Sequence, residues 1–167
     1  MPEYPHFIIR KAEENDIPQL FALVKKLADY ERLSDEVTAD ADLYRRHGFG
    51  EQKRFNSLLV ENKNQDEERY LGFAIYFFTF SSFTGRPSLY LEDVFVLPDY
   101  RGKGIGKAVL RHLAGIALQE NCARMEWSVL DWNEPAIRFY KNMGARPMDE
   151  WTVYRLTVPE IRRLAEG

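Results

Sequence analysis

The run Arg101-Gly102-Lys103-Gly104-Ile105-Gly106 constrains the fold of this chain more than any other segment. It follows a predicted strand over residues 88–97 and opens a predicted amphipathic helix. The apolar face of that helix comprises Ile105, Val109, Leu110, Leu113, Ala114 and Ala117. A glycine-rich turn at a helix N-terminus suits phosphate, because free backbone N–H groups and the positive end of the helix dipole point at the anion. Lys107, one turn into the helix, adds to the charge of Arg101 and Lys103, so the run predicts a phosphate-binding loop.

The spacing of the glycines separates this loop from two common phosphate motifs. A Walker loop has four residues between its first glycine and the Gly-Lys pair, whereas Gly102 and Gly106-Lys107 enclose only three. A dinucleotide-binding G-x-G-x-x-G run would need glycine or alanine at Lys107 or at Val109. The remaining pattern, Arg-x-x-Gly-x-Gly at the start of a helix, resembles motif A of the GNAT superfamily of N-acetyltransferases. That resemblance implies a loop that holds the pyrophosphate of acetyl-CoA.

The other elements predict a single α/β (α+β) domain over residues 1–167. The predicted strands are Phe7–Arg10, Phe55–Val60, Tyr70–Phe80, Ser88–Leu97, Arg124–Leu130 and Thr152–Thr157. Five helices are predicted. The first follows a cap at Asn15-Asp16, the second runs from Thr38 to Gly48, and the third begins at the glycine run. The last two span Glu134–Met143 and Pro159–Ala165. Residues 63–69 form a predicted turn between two strands. Because the strands come first in hairpins and then alternate with helices, we expect a mixed, mostly antiparallel sheet with helices on both faces.

Composition and charge argue against several classes of protein. A net charge of −3 does not suit nucleic-acid binding, and no window reaches the roughly 18 consecutive apolar residues of a membrane-spanning helix. The single cysteine, Cys122, cannot form an intramolecular disulfide, and the three histidines are too scattered for a metal site. We therefore expect a cytoplasmic protein without a metal that binds neither nucleic acid nor a membrane.

Further motifs resemble the spermidine/spermine and thialysine N-acetyltransferase branch of the same superfamily. They are Tyr30-Glu31, Gly48-Phe49-Gly50-Glu51, Tyr90-Leu91-Glu92-Asp93, Asp99-Tyr100-Arg101-Gly102 and Trp132-Asn133-Glu134-Pro135. The resemblance covers nearly the whole chain. It implies a GNAT fold, a homodimer, and acetyl-CoA lying in a V-shaped splay between the central strands of the sheet.

Glu92 is the candidate base for amine acetylation, in which the amine must lose a proton. It lies in the strand that leads into the glycine loop. Strand alternation predicts that Glu92 shares a face with Tyr90 and Val94, whereas Asp93 lies on the other face. Apolar and aromatic neighbours would raise the pKa of the Glu92 carboxyl and suit it to accept a proton. The resemblance implies that Glu92 assists deprotonation of the amine, directly or through water.

Tyr140 is the candidate proton donor to the thiolate of CoA. Its predicted helix has Asn133 as the N-cap residue and Pro135 in the first turn. Tyr140 shares a helix face with Ala136 and Ile137, and this spacing also fits a core position. The resemblance implies that Tyr140 is the general acid.

The resemblance also implies which residues surround the two substrates. The acetyl-CoA contacts would come from Val94, Phe95, Val96, Arg101, Gly102, Lys103, Gly104, Ile105, Gly106, Lys107, Asn133, Glu134, Pro135, Ala136 and Tyr140. The amine contacts would come from Tyr30, Glu31, Glu92, Glu126, Trp127 and Ser128.

The acceptor is the part of the function that the sequence leaves open. Polyamine enzymes of this branch carry an Asp-Pro-Trp-like element where this chain has Ser81-Ser82-Phe83, so an acidic group is lost. Arg86 is a candidate partner for the carboxylate of a lysine-like amino acid such as thialysine. A long polyamine would instead need several carboxylates, for which Glu31, Asp93 and Glu126 could serve.

Two other functions are compatible with the same loop. One is acetylation of a protein or peptide amine, and the other is acyl-CoA binding without turnover. The presence of both Glu92 and Tyr140 argues against binding alone, since binding requires neither.

Overall fold

The structure, a computed structural model, describes residues 4–64 and 66–167, and the chain divides into two compact units at residues 128 and 129. The first unit holds the sheet, whose strands are β1 (Phe7–Lys11), β2 (Asn56–Asn62), β3 (Tyr70–Ser81), β4 (Arg86–Val96) and β5 (Met125–Trp127). Its helices are α1 (Ile17–Tyr30), α2 (Ala41–Gly48) and α3 (Ile105–Gln119). The second unit contains α4 (Glu134–Asn142) and α5 (Val158–Glu166).

The five strands form one sheet in the order β1-β2-β3-β4-β5. The first three pairings are antiparallel, and only β4 and β5 run parallel. The predicted mixed, mostly antiparallel sheet is therefore confirmed. The parallel pairing is short, because Leu89–Leu91 of β4 are the residues that pair with β5, and β4 continues past them to Val96.

Both faces of the sheet are covered by helices, as predicted. Three consecutive residues of β2, Leu58, Leu59 and Val60, are fully buried, which requires cover on both faces because neighbouring side chains point opposite ways. Leu59 packs with the apolar face of α1 and with Phe73 and Phe95 in one core cluster. The buried face of α3, which includes Ala108, Val109 and Leu113, supplies the second layer.

The start of α1 depends on an ion-pair network. Asp16 precedes the helix as predicted, but its carboxylate does not cap the helix. It accepts from the backbone N–H of Glu13 at 2.8 Å and from the Arg10 guanidinium at 2.6 and 2.8 Å. Arg10 also binds Glu61 at 2.6 Å, so this network ties β1, β2 and the start of α1 together.

The helix α2 begins three residues later than predicted. The prediction placed its start at Thr38, whereas the first helical residue is Ala41. Asp40 is the N-cap residue, and its carboxylate accepts from the N–H of Leu43 at 2.8 Å. Because the Asp40 carboxylate binds an N–H group of the first turn, the helix starts directly after Asp40. This cap determines the start of α2 more strongly than Thr38, the residue from which the helix was predicted.

The two predicted strands near the C-terminus differ from the structure. β5 covers residues 125–127 rather than 124–130, and residues 152–157 form no strand. The second unit contains no other strand, so a strand at 152–157 would have no pairing partner within it. The terminal helix is confirmed as α5, with Thr157 as its N-cap residue. In the predicted turn over residues 63–69, Gln65 lies outside the described residues.

Candidate active site

The glycine loop lies between the end of β4 and the start of α3. A short 3-10 turn over Pro98–Tyr100 leads to Arg101, and α3 begins at Ile105 with Gly104 as its N-cap residue. Gly102 and Gly104 have φ values of 75° and 82°, in the left-handed region that glycine adopts freely. No side chain caps α3, and a Cβ on either glycine would meet nothing within 4 Å. The uncapped N–H groups of a 15-residue helix beside open space fit a pyrophosphate group.

Arg101 points its guanidinium at two aromatic rings rather than along the loop. Its Nε donates to the carbonyl oxygen of Val96 at 2.9 Å. The guanidinium carbon lies 4.3 Å from the centre of the Tyr30 ring and 5.5 Å from that of Phe95. The side chain therefore connects the loop to the end of α1.

Lys103 and Lys107 place two further positive charges at the start of α3. The ammonium group of Lys103 lies 4.6 Å from the centre of the Tyr100 ring. Lys103, Tyr100 and Ile105 line a cavity of about 630 Å³ with residues from the start of β1 and the β2–β3 turn. Lys107 is exposed in the first turn of α3. Both lysines raise the positive potential around the uncapped helix start.

The segment Val94–Val96 lies in β4 beyond the three residues that pair with β5. On one side of β4, pairing with β3 continues to Val96. On the other side, pairing with β5 ends at Leu91 within the described residues. The last part of β4 thus has a strand edge on the β5 side, and an extended chain with amide groups can bind such an edge as an added strand would.

A β-bulge in β4 changes the expected arrangement of the two neighbouring carboxylates. Ile75 pairs with Asp93 and Tyr76 pairs with Leu91, so Glu92 is the extra residue of the bulge. Glu92 is exposed and Asp93 is half-buried. The prediction that Glu92 lies among apolar neighbours is therefore wrong, because the bulge interrupts the two-residue alternation on which it rested.

Asp93 is the carboxyl group of this pair with the strongly shifted pKa. Burial raises the pKa of Asp93 to about 7, and the negative charges of Glu92 and Glu31 add to the effect. Burial also raises the pKa of Glu31. The pKa of Tyr44, in α2, rises to about 12 through burial and through the charges of Asp93 and Glu92. These groups therefore share one electrostatic environment, which stabilises a cation that enters it.

Tyr44 gives no functional signal in the sequence, and Asp93 is only one of several acidic residues there. Tyr44 belongs to an exposed helix of eight residues, and its only sequence signal is its apolar spacing. The effect of the Glu92 and Asp93 charges on the pKa of Tyr44 arises from tertiary packing, which no local sequence pattern records. Asp93 could be recognised only with knowledge of the bulge.

The end of α1 carries Tyr30 and Glu31, the predicted acceptor-side residues. Glu31 is the C-cap residue, and Arg32 follows it in the left-handed conformation at φ 60°. The N–H groups of Arg32 and Leu33 donate to carbonyls of the last helical turn at 3.1 and 2.8 Å. This pattern is a Schellman motif, which fixes where the chain leaves the helix. It holds Glu31 in a defined, half-buried place at the end of α1.

The strand β5 brings the remaining predicted acceptor-side residues of the first unit next to β4. Tyr90 pairs with Glu126 in register, and its hydroxyl lies 3.1 Å from that of Ser128. Glu126 forms an ion pair with Arg124 at 3.0 Å. Trp127, the last residue of β5, is half-buried.

Arg86, the sequence candidate for binding a substrate carboxylate, has partners elsewhere. Its Nε donates to the carbonyl oxygen of Asn121 at 3.1 Å, and its terminal nitrogen binds the side chain of the same residue. Asn121 lies in the turn between α3 and β5. This contact attaches the end of the β3–β4 hairpin to the turn between α3 and β5, and it occupies the guanidinium of Arg86.

The second unit carries the predicted residues Asn133–Ala136 and Tyr140. The side chain of Asn133 accepts from the N–H of Ala136 at 3.3 Å, which confirms the predicted N-cap. Tyr140 is half-buried on α4, with its ring 5.5 Å from that of Phe139. Gly144 ends the helix at φ 89°, as predicted. The N–H of Ala145 donates to the carbonyl of Tyr140 at 3.1 Å, so the last turn around Tyr140 is also closed by a Schellman motif.

Comparison with known proteins identifies the class to which this fold and this loop belong. The model of the acetyltransferase (GNAT) family matches residues 22–145. The chain therefore belongs to the acetyltransferase (GNAT) family, and it is an N-acetyltransferase.

Individual relatives agree with the family. The chain is 38% identical to the thialysine N-epsilon-acetyltransferase of Sus scrofa, over 95% of this chain and 96% of that protein. It is 38% identical to human spermidine/spermine N(1)-acetyltransferase-like protein 1, over 96% of this chain and 24% of that longer protein. Among solved structures, an integron cassette protein of V. cholerae superimposes with a TM-score of 0.78 at 27% identity, covering 96% of this chain and 98% of that one.

Within residues 4–64 and 66–167, no group of three or more His, Cys, Asp or Glu side chains is arranged to hold a metal ion. Over the same residues, no helix combines the length and the apolar character needed to cross a membrane.

Proposed function

We propose that the chain transfers the acetyl group of acetyl-CoA to a primary amine of a small molecule, by direct attack in a ternary complex. The observation that carries the proposal is the proximity of two features in β4. The strand leads into a loop suited to pyrophosphate, and it carries Asp93, whose pKa is raised by burial and by the negative charges of Glu92 and Glu31. A phosphate loop and a site for a cation on one strand are what this reaction requires.

The proposed acetyl-CoA site uses the backbone of the glycine loop for the pyrophosphate and the edge of Val94–Val96 on the β5 side for the amide-containing arm, where the carbonyl of Val96 also accepts from Arg101. Bound acetyl-CoA supplies an acetyl thioester. The resemblance also assigns acetyl-CoA contacts to Asn133–Ala136, at the capped start of α4, and to Tyr140. The hydroxyl of Tyr140 is the proposed proton donor to the departing sulfur.

The proton of the incoming ammonium group goes to a carboxylate of the bulge in this proposal. Glu92 is the proposed base, because its exposed position can reach a bound amine directly or through water. Asp93 is a second candidate, favoured by a pKa near 7, where a base is most effective in neutral solution. The other carboxylate and Glu31 hold the ammonium group in place before it loses this proton.

We propose a lysine-like amino acid, such as thialysine, or a diamine or polyamine as the acceptor. The names of the two relatives cover both kinds of amine, and the carboxylates around Asp93 suit the cationic end that both share. The engagement of Arg86 with Asn121 removes it as the obvious partner of a substrate carboxylate, which favours recognition through the amine end.

The decisive experiment measures CoA release with acetyl-CoA and a panel of amines: thialysine, lysine, putrescine, spermidine and a lysine-containing peptide. Turnover of the small amines supports the proposal. Turnover of the peptide alone would move the function to protein acetylation. Acetyl-CoA should also stabilise the chain by about 2.7 kcal/mol at a 100-fold excess over its Kd, and a lack of stabilisation would refute the cofactor assignment.

The two candidate bases are separated by the pH dependence of kcat/KM in Glu92→Gln and Asp93→Asn. The variant that lacks the base should lose the rise of kcat/KM with pH that deprotonation of the base produces, whereas the other variant should keep this rise with a raised KM for the amine. Retention of the rise in both variants would mean that neither carboxylate is the base.

The proposal includes a homodimer that acts in the cytoplasm, which rests on the resemblance to the polyamine and thialysine branch. Light scattering after size exclusion tests the dimer, because a mass near 19.6 kDa would contradict it.

A further inference from the structure

We propose that β5 carries a site for the head group of an α-amino acid, so that the acceptor is a lysine-like amino acid and not a diamine or polyamine. In this site, Arg124 binds the carboxylate of the head group and Glu126 binds its α-ammonium group. This inference rests on the proposed function, and it narrows the acceptor to one chemical class.

The bulge in β4 places Tyr90 on the same face of the sheet as Asp93. Asp93 pairs with Ile75, which packs against α1 in the core cluster. Tyr90 pairs with Phe77, two positions further along β3, and the two rings are 5.2 Å apart. Residues two positions apart in a regular strand share a face. Because the bulge adds one residue to β4, Tyr90 and Asp93 therefore both lie on the α1 face, although three positions separate them.

The charged side chains of β5 lie on this same face. Glu126 pairs with Tyr90 in the parallel ladder, and paired residues direct their side chains to the same side. Arg124 and Ser128 are two positions before and after Glu126. Nε of Arg124 lies 3.0 Å from the Glu126 carboxylate, and the hydroxyl of Ser128 lies 3.1 Å from that of Tyr90. These contacts hold all four side chains on the face that carries Asp93.

This part of the sheet face is accessible to a small molecule. Ile75 is buried, but Asp93 and Tyr90 are only half-buried. The side chains of Arg124 and Glu126 are 50% and 38% exposed. An acceptor whose reacting amine lies at the β4 carboxylates can therefore also contact the ion pair on β5.

The ion pair is complementary to a zwitterion. Nε of Arg124 faces Glu126, and within residues 4–64 and 66–167 no other acidic group pairs with this guanidinium. Its terminal nitrogens can therefore bind a carboxylate in a bidentate manner. The Glu126 carboxylate can accept from an α-ammonium group. Only one of the hydroxyls of Tyr90 and Ser128 donates to the other, so one hydroxyl hydrogen is left for the bound carboxylate.

The same ion pair disfavours the distal ammonium group of a diamine or polyamine. The positive charge of Arg124 offsets that of Glu126 and repels a second cation. Arg86 is engaged with Asn121, which leaves Arg124 as the cation for a substrate carboxylate on this face. Selection of the acceptor then combines attraction of one head group with repulsion of another.

The distance between the two sites fits a lysine side chain. Asp93 and Tyr90 lie opposite residues two positions apart in β3, so they are about 7 Å apart along the strand, and β5 lies about 4.8 Å to the side. Glu126 is thus about 8 Å from Asp93 at the level of the backbone. The five bonds from the α-carbon to the terminal nitrogen of lysine span about 6 Å. The side chains of Asp93 and Glu126 cover the remainder.

The test uses two pairs of acceptors that differ only in the carboxylate: lysine with cadaverine, and ornithine with putrescine. The wild-type kcat/KM should be at least about tenfold higher for each amino acid than for its decarboxylated counterpart. Arg124→Met should raise the KM for lysine about 10- to 100-fold and leave the KM for cadaverine unchanged or lower. Arg124→Glu should reverse the preference, because two adjacent carboxylates favour an ammonium group. Glu126→Gln should raise the KM for lysine.

Arg69→Met is the matched control. Arg69 also pairs with a glutamate, Glu61, at 3.6 Å, but it lies just before the start of β3 and belongs to no proposed site. The KM values for lysine and cadaverine should both match those of the wild type.

Two results would overturn the assignment. A wild-type enzyme that acetylates cadaverine and putrescine at least as well as the amino acids has no head-group site for a carboxylate. An equal loss of kcat/KM for lysine and cadaverine in Arg124→Met would make the ion pair a structural contact only. Failure of the proposed function is distinct from both, because the wild-type enzyme would then acetylate no member of either pair.

Discussion

Replacing Asp93 by asparagine removes a half-buried carboxyl group whose pKa lies far from its ordinary value. The pKa of an aspartate is 3.8 in the unfolded chain, and burial together with Glu92 and Glu31 raises it to about 7 in the folded protein. At a pH between these two pKa values, Asp93 is protonated in the folded state and deprotonated in the unfolded state. The free energy of unfolding must therefore fall as the pH rises through this window.

The size of the effect follows from the two pKa values. Where the folded state binds one more proton than the unfolded state, the free energy of unfolding falls by about 1.4 kcal/mol per pH unit. Integrated from pH 5 to pH 8 with pKa values of 3.8 and about 7, the loss amounts to about 2 to 3 kcal/mol. The amide of the Asp93→Asn variant does not titrate, so the variant should gain this much stability relative to the wild type over the same interval.

Urea unfolding of both proteins at pH 5, 6, 7 and 8, at one protein concentration, measures the difference directly. Asp99→Asn is the matched control, because Asp99 is exposed just beyond the same strand. An equal pH-dependent gain in Asp99→Asn would show that the effect is not specific to Asp93. A difference between Asp93→Asn and the wild type that is constant from pH 5 to pH 8 would refute the view that Asp93 is protonated near neutrality.

Three further substitutions test other parts of the molecule. Tyr140→Phe should lower kcat by about 100-fold while the calorimetric Kd for acetyl-CoA stays unchanged, and an unaltered kcat would make Tyr140 a core residue. Gly104→Ala adds a Cβ at φ 82° and into the open side of the loop, so the Kd for acetyl-CoA should rise about tenfold; an unchanged Kd would contradict the pyrophosphate site. Asp16→Asn should lower the free energy of unfolding by about 1 to 3 kcal/mol at pH 7, because it removes the negative charge and one of the two oxygens that accept hydrogen bonds from Arg10. Those bonds lower the pKa of Asp16, so the stability that they add is lost as the pH falls, and urea unfolding near pH 3 should show a smaller difference.

The parts of the fold that sequence could predict are those with local signals. The glycine loop and the start of α3 follow from three glycines before an apolar face of helical spacing. The caps at Asn133 and Gly144 bound α4 as predicted. Each of these elements is specified by residues within a few positions of one another, so tertiary packing does not need to be known.

The parts that sequence could not predict depend on contacts between distant segments. At the bulge, β4 has one residue more than β3, namely Glu92. The bulge depends on the register between the two strands, which the sequence of β4 alone does not specify. The position of the Arg101 side chain depends on Tyr30, which lies 71 positions earlier in the chain. The strand expected at residues 152–157 has suitable residues but no partner in its own unit.

The three-residue pairing of β5 has a consequence for hydrogen exchange. A strand held by so short a ladder opens more often than β2 and β3, which pair along most of their length. Amide protons at residues 125–127 should thus be replaced by deuterium well before those at the centre of β3. In the proposed function the amide-containing arm of acetyl-CoA binds along the adjoining edge of β4, and so short a strand can open there without unfolding the rest of the sheet.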